Sequence, residues 1–108
     1  MERTKAVVCG ATGMVGQIYV AMLATHPWFE LVGVAASERS AGKRYGDVAR
    51  WTIPGEIPAG ARDTTVLPCT PEAVLATGAT LVFSALPSDV AGPVETSLAD
   101  AGAAVVAD

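Results

Sequence analysis

The chain has 108 residues, 51% of them hydrophobic, and a formal net charge of −4. This length allows one domain at most, and the apolar fraction is sufficient for a core. The seven Lys and Arg residues are scattered, so no basic patch for nucleic acid is visible, and the apolar runs are too short to span a membrane. Residues 1–5 contain no apolar signal core. We therefore expect a cytoplasmic protein that binds neither nucleic acid nor membrane.

Short apolar runs alternate with helical segments along the chain. Strands are predicted at Lys5–Cys9, Leu31–Ala36, Thr64–Leu67, Leu81–Ser84 and Ala104–Ala107. Helices are predicted at Met14–Ala24, at Pro71–Ala76 with Thr70 as N-cap, and at Val90–Ala101. Residues 37–51 are predicted to form a loop with a short helical turn, and the prolines and glycines of 54–60 to mark a surface connection. Successively apolar strands alternating with helices indicate an α/β fold, a Rossmann-like doubly wound parallel sheet truncated after about five strands.

The turn after the first predicted strand is rich in glycine. Gly13 and Gly16 fit the last two positions of the G-x-G-x-x-G fingerprint, but the first glycine, Gly10, comes one residue early. A strand, a glycine turn and a helix bind the pyrophosphate of a dinucleotide, because the backbone can approach the ligand closely and the helix start attracts negative charge. A purely structural turn is the alternative interpretation.

The end of the second strand bears on which dinucleotide is bound. A site for NAD usually places a carboxylate here, to bind the ribose 2′-hydroxyl. Ser37, Arg39 and Ser40 instead suit a 2′-phosphate, through hydrogen bonds and an ion pair. The pattern therefore favours NADP. Glu38 is the competing candidate, as the carboxylate of a site for NAD, and its alternative role is that of a solvated loop carboxylate. For Arg39 the alternative to binding the 2′-phosphate is an ordinary surface charge.

The loop after the fourth strand, residues 84–87, is the third candidate segment. In a doubly wound fold this loop lies beside the first glycine turn, so its backbone is placed to contact the nicotinamide ribose. The alternative is an ordinary strand-to-helix loop, with Ser88 or Asp89 as the N-cap of the next helix.

The two cysteines make no metal-binding spacing and suggest no disulfide framework. Cys9 ends the first strand and is predicted to be a small buried residue. Cys69 follows the third strand, toward the adenine end of such a site. We predict neither to be catalytic, and no metal site is expected.

Four segments give the chain a family resemblance. They are Gly10–Gly16, His26–Phe29, the run Ala36-Ser37-Glu38-Arg39-Ser40-Ala41-Gly42-Lys43, and Ser84–Glu95. With these motifs the chain resembles aspartate-semialdehyde dehydrogenase, in the branch found in archaea and fungi. Many reductases share the first segment, whereas the other three together are specific, and the match covers nearly the whole chain.

The resemblance implies an NADP-dependent, reversible reduction of L-aspartyl 4-phosphate to L-aspartate 4-semialdehyde, a step toward lysine, threonine, methionine and isoleucine. In this family a cysteine thiolate attacks the acyl phosphate and the cofactor reduces the resulting thioester. Carried over to this chain, the cofactor-binding residues are Gly10, Thr12, Gly13, Met14, Val15 and Gly16 at the pyrophosphate, Ser37, Arg39 and Ser40 at the 2′-phosphate, and Ser84, Ala85, Leu86 and Pro87 on the nicotinamide side.

The family's catalytic cysteine, histidine and substrate-binding arginines would lie beyond residue 108. We therefore expect residues 1–108 to be the N-terminal, NADP-binding domain of a larger enzyme, without its catalytic and dimerisation domain and inactive alone. The full-length protein is expected to act on a small acyl phosphate or aldehyde as a homo-oligomer. The alternatives are a related acyl reductase, such as malonyl-CoA reductase or N-acetylglutamyl-phosphate reductase, and a non-catalytic NADP-binding module.

Overall fold

The computed structural model describes residues 3–107, which form a five-stranded sheet with helices against both faces. The strands are β1 (Thr4–Cys9), β2 (Phe29–Ala36), β3 (Leu67–Pro68), β4 (Leu81–Ser84) and β5 (Ala104–Ala107). The helices are α1 (Met14–Ala24), α2 (Tyr45–Val48), α3 (Ala59–Arg62), α4 (Pro71–Leu75) and α5 (Ser88–Asp100).

The strands lie in the order β3-β2-β1-β4-β5, and each neighbouring pair is parallel. This order and direction confirm the predicted Rossmann-like α/β fold. The last residue of β1, Cys9, is in register with Ala35 of β2 and Ser84 of β4. The carboxyl ends of these three strands therefore meet at one edge of the sheet, where a doubly wound fold binds its ligands.

The sheet is buried on both faces near β1. Ala6 and Val8 pack into a core with α1, α2 and α3, whereas Val7 and Cys9 pack into a second core with α4 and α5. Residues Ala6–Cys9 have no exposed surface. The continuous apolar run at residues 6–9 of β1 follows from this two-sided burial, since none of these four positions faces solvent.

The prediction for the third strand was wrong in its position. It was expected at Thr64–Leu67, but β3 is Leu67–Pro68. The preceding residues pair instead with the loop after β2, where the Val66 amide donates to the Lys43 carbonyl and the Tyr45 amide donates to the Thr64 carbonyl. This antiparallel contact satisfies the backbone of 64–66, so only two residues remain to pair with β2.

Two further differences concern helices. The surface connection predicted around 54–60 runs into the short helix α3. The last helix starts at Ser88, two residues before the predicted Val90, and its N-cap is Pro87 with no side-chain cap hydrogen bond. Neither Ser88 nor Asp89 therefore acts as the N-cap proposed as the alternative role of this loop.

Candidate functional site

A cleft opens at the carboxyl edge of the sheet. Its main cavity has a volume of about 550 Å³. The walls come from the glycine turn, the end of β2, the segment after β3 and the loop after β4. The lining residues are Gly10, Thr12, Gly13, Ala36, Ser37, Glu38, Pro68, Cys69, Thr70, Ala85, Leu86, Pro87, Asp89, Val90 and Val94.

A second cavity of about 520 Å³ continues the cleft along the start of α1. Between them the two cavities are lined by ten of the thirteen predicted site residues: Gly10, Thr12, Gly13, Met14, Val15, Ser37, Ser84, Ala85, Leu86 and Pro87. Gly16, Arg39 and Ser40 line neither cavity. The three separate sequence segments thus converge on one cleft.

Two glycines of the turn are required by close backbone packing. Gly10 has φ +77°, and a Cβ there would lie 2.7 Å from the Ala85 carbonyl oxygen. A Cβ on Gly16 would lie 2.0 Å from the carbonyl oxygen of Gly10. Gly10 therefore lets the turn touch the β4 loop, and Gly16 lets α1 pack on the turn, which explains why Gly16 lies beneath the cleft and not in its wall.

The third glycine, Gly13, is the N-cap of α1 and is exposed to the cleft. It offers no side chain to accept a hydrogen bond, and the first turn of α1 contains no acidic residue. The first amides of a helix have no partner within the helix. The N-terminus of α1 consequently presents free N–H groups and the positive end of the helix dipole to the cleft, which suits a phosphate.

Two buried side chains hold the carbonyl groups of the same turn. The hydroxyl of Tyr45 donates to the Ala11 carbonyl oxygen at 2.6 Å, and the amide of Gln17 donates to the Thr12 carbonyl oxygen at 3.0 Å. Both side chains are almost fully buried. Burial without a compensating cation raises the pKa of Tyr45, so its hydroxyl stays a donor. Because the carbonyl groups are held on the protein side, the backbone of the turn is fixed where it borders the cleft.

Gln17 also joins the turn to the loop after α2. Its amide group donates to the Arg50 carbonyl oxygen at 2.9 Å, and its own side-chain oxygen accepts the backbone N–H of Thr52 at 2.9 Å. Gln17 and Tyr45 were not among the residues predicted from the sequence. A signal existed for Gln17, a polar residue on the side of α1 that also carries Val20 and is buried with it. No local pattern indicates Tyr45.

The loop after β2 forms a tight turn over residues 37–41. The amides of Ser40 and Ala41 both donate to the Ser37 carbonyl oxygen. Ser37 and Glu38 line the main cavity. Arg39 follows them in the chain, but its side chain is exposed and does not line the cavity. The turn therefore places the hydroxyl of Ser37 and the carboxylate of Glu38 in the wall of the cavity, whereas Arg39 and Ser40 belong to the same turn but line neither cavity.

The loop after β4 is attached to β1 by a hydrogen bond from the Ala85 amide to the Cys9 carbonyl oxygen, at 2.9 Å. The buried Ser84 hydroxyl donates to the Glu95 carboxylate at 2.6 Å. This bond links the end of β4 to α5, and Glu95 itself lines the second cavity. The Ser84 hydroxyl is thus already used, and the loop faces the cleft with the backbone and apolar side chains of 85–87.

Two other kinds of feature were looked for among the described residues, a metal-binding group and a membrane-spanning helix. Within residues 3–107, no group of three or more His, Cys, Asp or Glu side chains is arranged to hold a metal ion. Over the same span, no helix has both the length and the apolar character needed to cross a membrane.

The sheet order, the uncapped helix start after a glycine turn, and the cleft beside it define a dinucleotide-binding domain of the Rossmann type. Residues 5–108 match the family described as "Semialdehyde dehydrogenase, NAD binding domain". The chain belongs to this family.

Individual relatives agree with that family. The chain is 50% identical over 101 residues to an aspartate-semialdehyde dehydrogenase of Archaeoglobus fulgidus, which covers 94% of this chain and 29% of the relative. It is 40% identical over 109 residues to a malonyl CoA reductase (NADP) of Metallosphaera sedula, covering 100% of this chain and 30% of that protein. The chain therefore spans less than a third of the length of these curated relatives.

A solved structure of an aspartate semialdehyde dehydrogenase with NADP from Candida albicans superimposes with a TM-score of 0.93 at 44% identity. The alignment covers 99% of this chain and 30% of that one. The fold described above is thus the fold of one segment of a related dehydrogenase.

Proposed function

We propose that the chain is the NADP-binding domain of an aspartate-semialdehyde dehydrogenase, which reversibly reduces L-aspartyl 4-phosphate to L-aspartate 4-semialdehyde. The observation that carries this proposal is the cleft in which the uncapped start of α1 meets the loops after β2 and β4. The relatives named above support the choice of enzyme, because the chain is 50% identical to one aspartate-semialdehyde dehydrogenase and 44% identical to another.

The residues present fit a dinucleotide. The helix start supplies unpartnered amides for the pyrophosphate. The cleft has room on both sides of that point, because one cavity extends toward the ends of β2 and β3 and the other toward the ends of β4 and β5. An elongated ligand can therefore lie across the glycine turn with one half on each side.

Each segment has its own role in this proposal. The backbone of residues 12–15 binds the pyrophosphate, Ser37, Arg39 and Ser40 bind the 2′-phosphate, and the loop 84–87 borders the nicotinamide ribose. Gly10 and Gly16 act by permitting the turn and its packing. When bound, the cofactor supplies the hydride; the residues of this chain bind and orient it.

The substrate-binding and acid–base residues are proposed to lie in the part of the enzyme that the relatives have and this chain does not cover. The whole enzyme is proposed to be a cytoplasmic homo-oligomer acting on a small acyl phosphate or aldehyde. This chain alone is expected to bind NADPH and to show no turnover with aspartate semialdehyde, phosphate and NADP. Turnover by the chain alone would show that its residues suffice for the chemistry.

A domain exchange tests the function directly. The segment of the Candida albicans enzyme that aligns with this chain is replaced by this chain, and NADP-dependent oxidation of aspartate semialdehyde is measured. We expect the chimera to be active. The matched control is the same chimera with Arg39→Ala, in which we expect the KM for NADP to rise. A chimera that folds and binds NADPH but has no activity would contradict the proposal.

One alternative is a malonyl-CoA reductase, favoured by the 40% identity to the Metallosphaera sedula protein. The proposed cofactor-binding role is the same in both enzymes. Assaying the full-length enzyme with malonyl-CoA and with aspartate semialdehyde separates the two, because only the correct substrate should support NADP-dependent turnover. A non-catalytic NADP-binding module would turn over neither.

A further inference from the structure

The wall of the second cavity carries a carboxylate, that of Glu95. Glu95 lies on the side of α5 that also carries Ala91, four residues earlier, and the fully buried Leu98, three residues later. Ala91 and Glu95 both line the cavity, beside the ends of β4 and β5, where Ser84 is in register with Ala107. The half-buried Glu95 side chain therefore lies between the core beneath α5 and the cleft.

The charge of Glu95 is not neutralised by a basic side chain. No ion pair within residues 3–107 includes Glu95. Of the described residues that line the second cavity, Glu95 is the one that carries a charge. Its hydrogen bond is the one accepted from the buried Ser84 hydroxyl, and this bond engages Oε2. The cavity is thus bordered by a single negative charge held in place from below.

The bond to Ser84 does not by itself require a charge. The amide oxygen of a glutamine, which has the same length, also accepts a hydrogen bond from a hydroxyl group. Partial burial of a carboxylate costs free energy that the neutral amide avoids. A role for the charge itself therefore concerns what occupies the cavity.

We propose that Glu95 makes the cleft discriminate between the two oxidation states of the cofactor and favours the oxidised one. The inference rests on the proposed function, in which the loop 84–87 borders the nicotinamide ribose. The ring of oxidised nicotinamide carries a positive charge, whereas the reduced ring is neutral. The Glu95 carboxylate attracts a cationic ring in this cavity and has no such attraction for a neutral one. A site that binds the oxidised form in preference makes the reduced form a stronger reductant when bound.

Glu95 also shares the cavity with the start of α1, through Gly13, Met14 and Val15. The pyrophosphate is proposed to bind there, so the carboxylate repels its negative charges as well. This repulsion is the same for both oxidation states, because they differ in the nicotinamide ring alone. It therefore cancels in the ratio of the two dissociation constants, and that ratio reports the effect of Glu95 on the ring.

The test is calorimetric titration of the native protein and of Glu95→Gln with NADP⁺ and with NADPH at neutral pH. Glutamine keeps the length of the side chain and the bond from Ser84, so the variant removes the charge. We expect the ratio of the Kd for NADP⁺ to the Kd for NADPH to rise roughly two- to sixfold. This is the Coulomb effect between unit charges about 8 Å apart at an effective dielectric constant of about 40–80.

Two further variants separate the charge from other effects. Glu95→Asp keeps the charge on a shorter side chain, so the ratio should stay near its native value even if the bond to Ser84 is lost. Glu72→Gln is the matched control, because it removes the same charge from the exposed surface of α4 and lines neither cavity. The ratio should not change in this control.

Partial unfolding of a variant weakens the binding of both nucleotides alike and leaves the ratio as it is. An unchanged or lower ratio in Glu95→Gln, including an equal weakening of both nucleotides, would overturn the proposal. An equal rise of the ratio in Glu72→Gln would also overturn it. Failure of the native protein to bind either nucleotide would contradict the proposed function instead.

Discussion

Gly16 allows helix α1 to pack directly on the turn that precedes it. A Cβ at this position would lie 2.0 Å from the carbonyl oxygen of Gly10 and 2.7 Å from the Cα of Ala11, and backbone cannot yield as a flexible side chain does. We expect Gly16→Ala to lower the free energy of unfolding by about 3 kcal/mol or more, the upper range for overpacking. Urea unfolding followed by circular dichroism measures this loss.

Gly60 is the matched control, because it lies in α3 with open space where a Cβ would be. Gly60→Ala should leave stability unchanged or raise it by up to about 1 kcal/mol, the helix preference of alanine. Equal effects of the two substitutions would contradict the packing role assigned to Gly16.

Arg39 and Glu38 favour different cofactors, Arg39 NADP and Glu38 NAD. Arg39 is proposed to pair with the 2′-phosphate, whereas Glu38 lines the cavity as a carboxylate. We expect Arg39→Ala to weaken NADPH binding about tenfold, in line with the loss of one charge-assisted hydrogen bond, and to leave NADH binding unchanged. Fluorescence titration with each nucleotide measures both affinities.

Glu38→Gln separates the two roles. If Glu38 is a solvated loop carboxylate, removing its charge should leave NADH binding unchanged and strengthen NADPH binding modestly through less repulsion. A marked loss of NADH binding in this variant, with no effect of Arg39→Ala, would mean that the site is of the NAD type.

At the scale of elements, the short helix α2 fixes the turn that leads into α1. Tyr45 in α2 donates to the Ala11 carbonyl oxygen. We expect Tyr45→Phe to lower the free energy of unfolding by about 1–3 kcal/mol, because a buried acceptor loses its partner, and to weaken NADPH binding. Tyr19→Phe is the control, a half-buried tyrosine packed against Phe83. A change at Tyr19 as large as at Tyr45 would show that the hydroxyl of Tyr45 has no special role.

The start of α2 is also tied to the end of α3. Arg44 donates to Asp63 and to Asp47, each at 2.8 Å. Hydrogen bonding from Arg44 lowers the pKa of Asp63, so the ion pair stabilises the fold above the unfolded pKa of about 4 and this stabilisation is lost as the pH falls through the folded pKa.

We therefore expect Asp63→Asn to be slightly less stable than the native chain at neutral pH, and this difference to vanish in acid. The pair is exposed, so added salt should also shrink the difference. Urea midpoints of both chains across this pH range measure it. A difference that grows as the pH falls would contradict the assignment.

At the scale of the whole molecule, the sequence predicted best what is determined locally. The β1–turn–α1 unit and strands β4 and β5 follow from short-range patterns of apolar residues and glycines, and the structure has them at or near the predicted bounds. The three candidate loops meet at one edge because parallel strands bring their carboxyl ends together. That convergence is a property of the fold class and needed no side-chain detail.

What the sequence did not predict depends on contacts between distant segments. The third strand was misplaced because residues 64–66 pair with the loop after β2, 20 or so residues earlier in the chain. The roles of Gln17 and Tyr45 likewise exist only once the sheet is assembled. Local preferences for helix, strand or turn do not specify contacts with residues that are distant in the chain.

The cleft at the start of α1 is proposed to bind NADP. Titration of the purified protein with NADPH and with NADH, followed by the fluorescence of the nicotinamide, tests this binding. We expect a saturable site for a single NADPH per chain, with NADH binding at least about tenfold more weakly because it lacks the 2′-phosphate. Absence of saturable NADPH binding, or NADH binding as tight as NADPH, would contradict it.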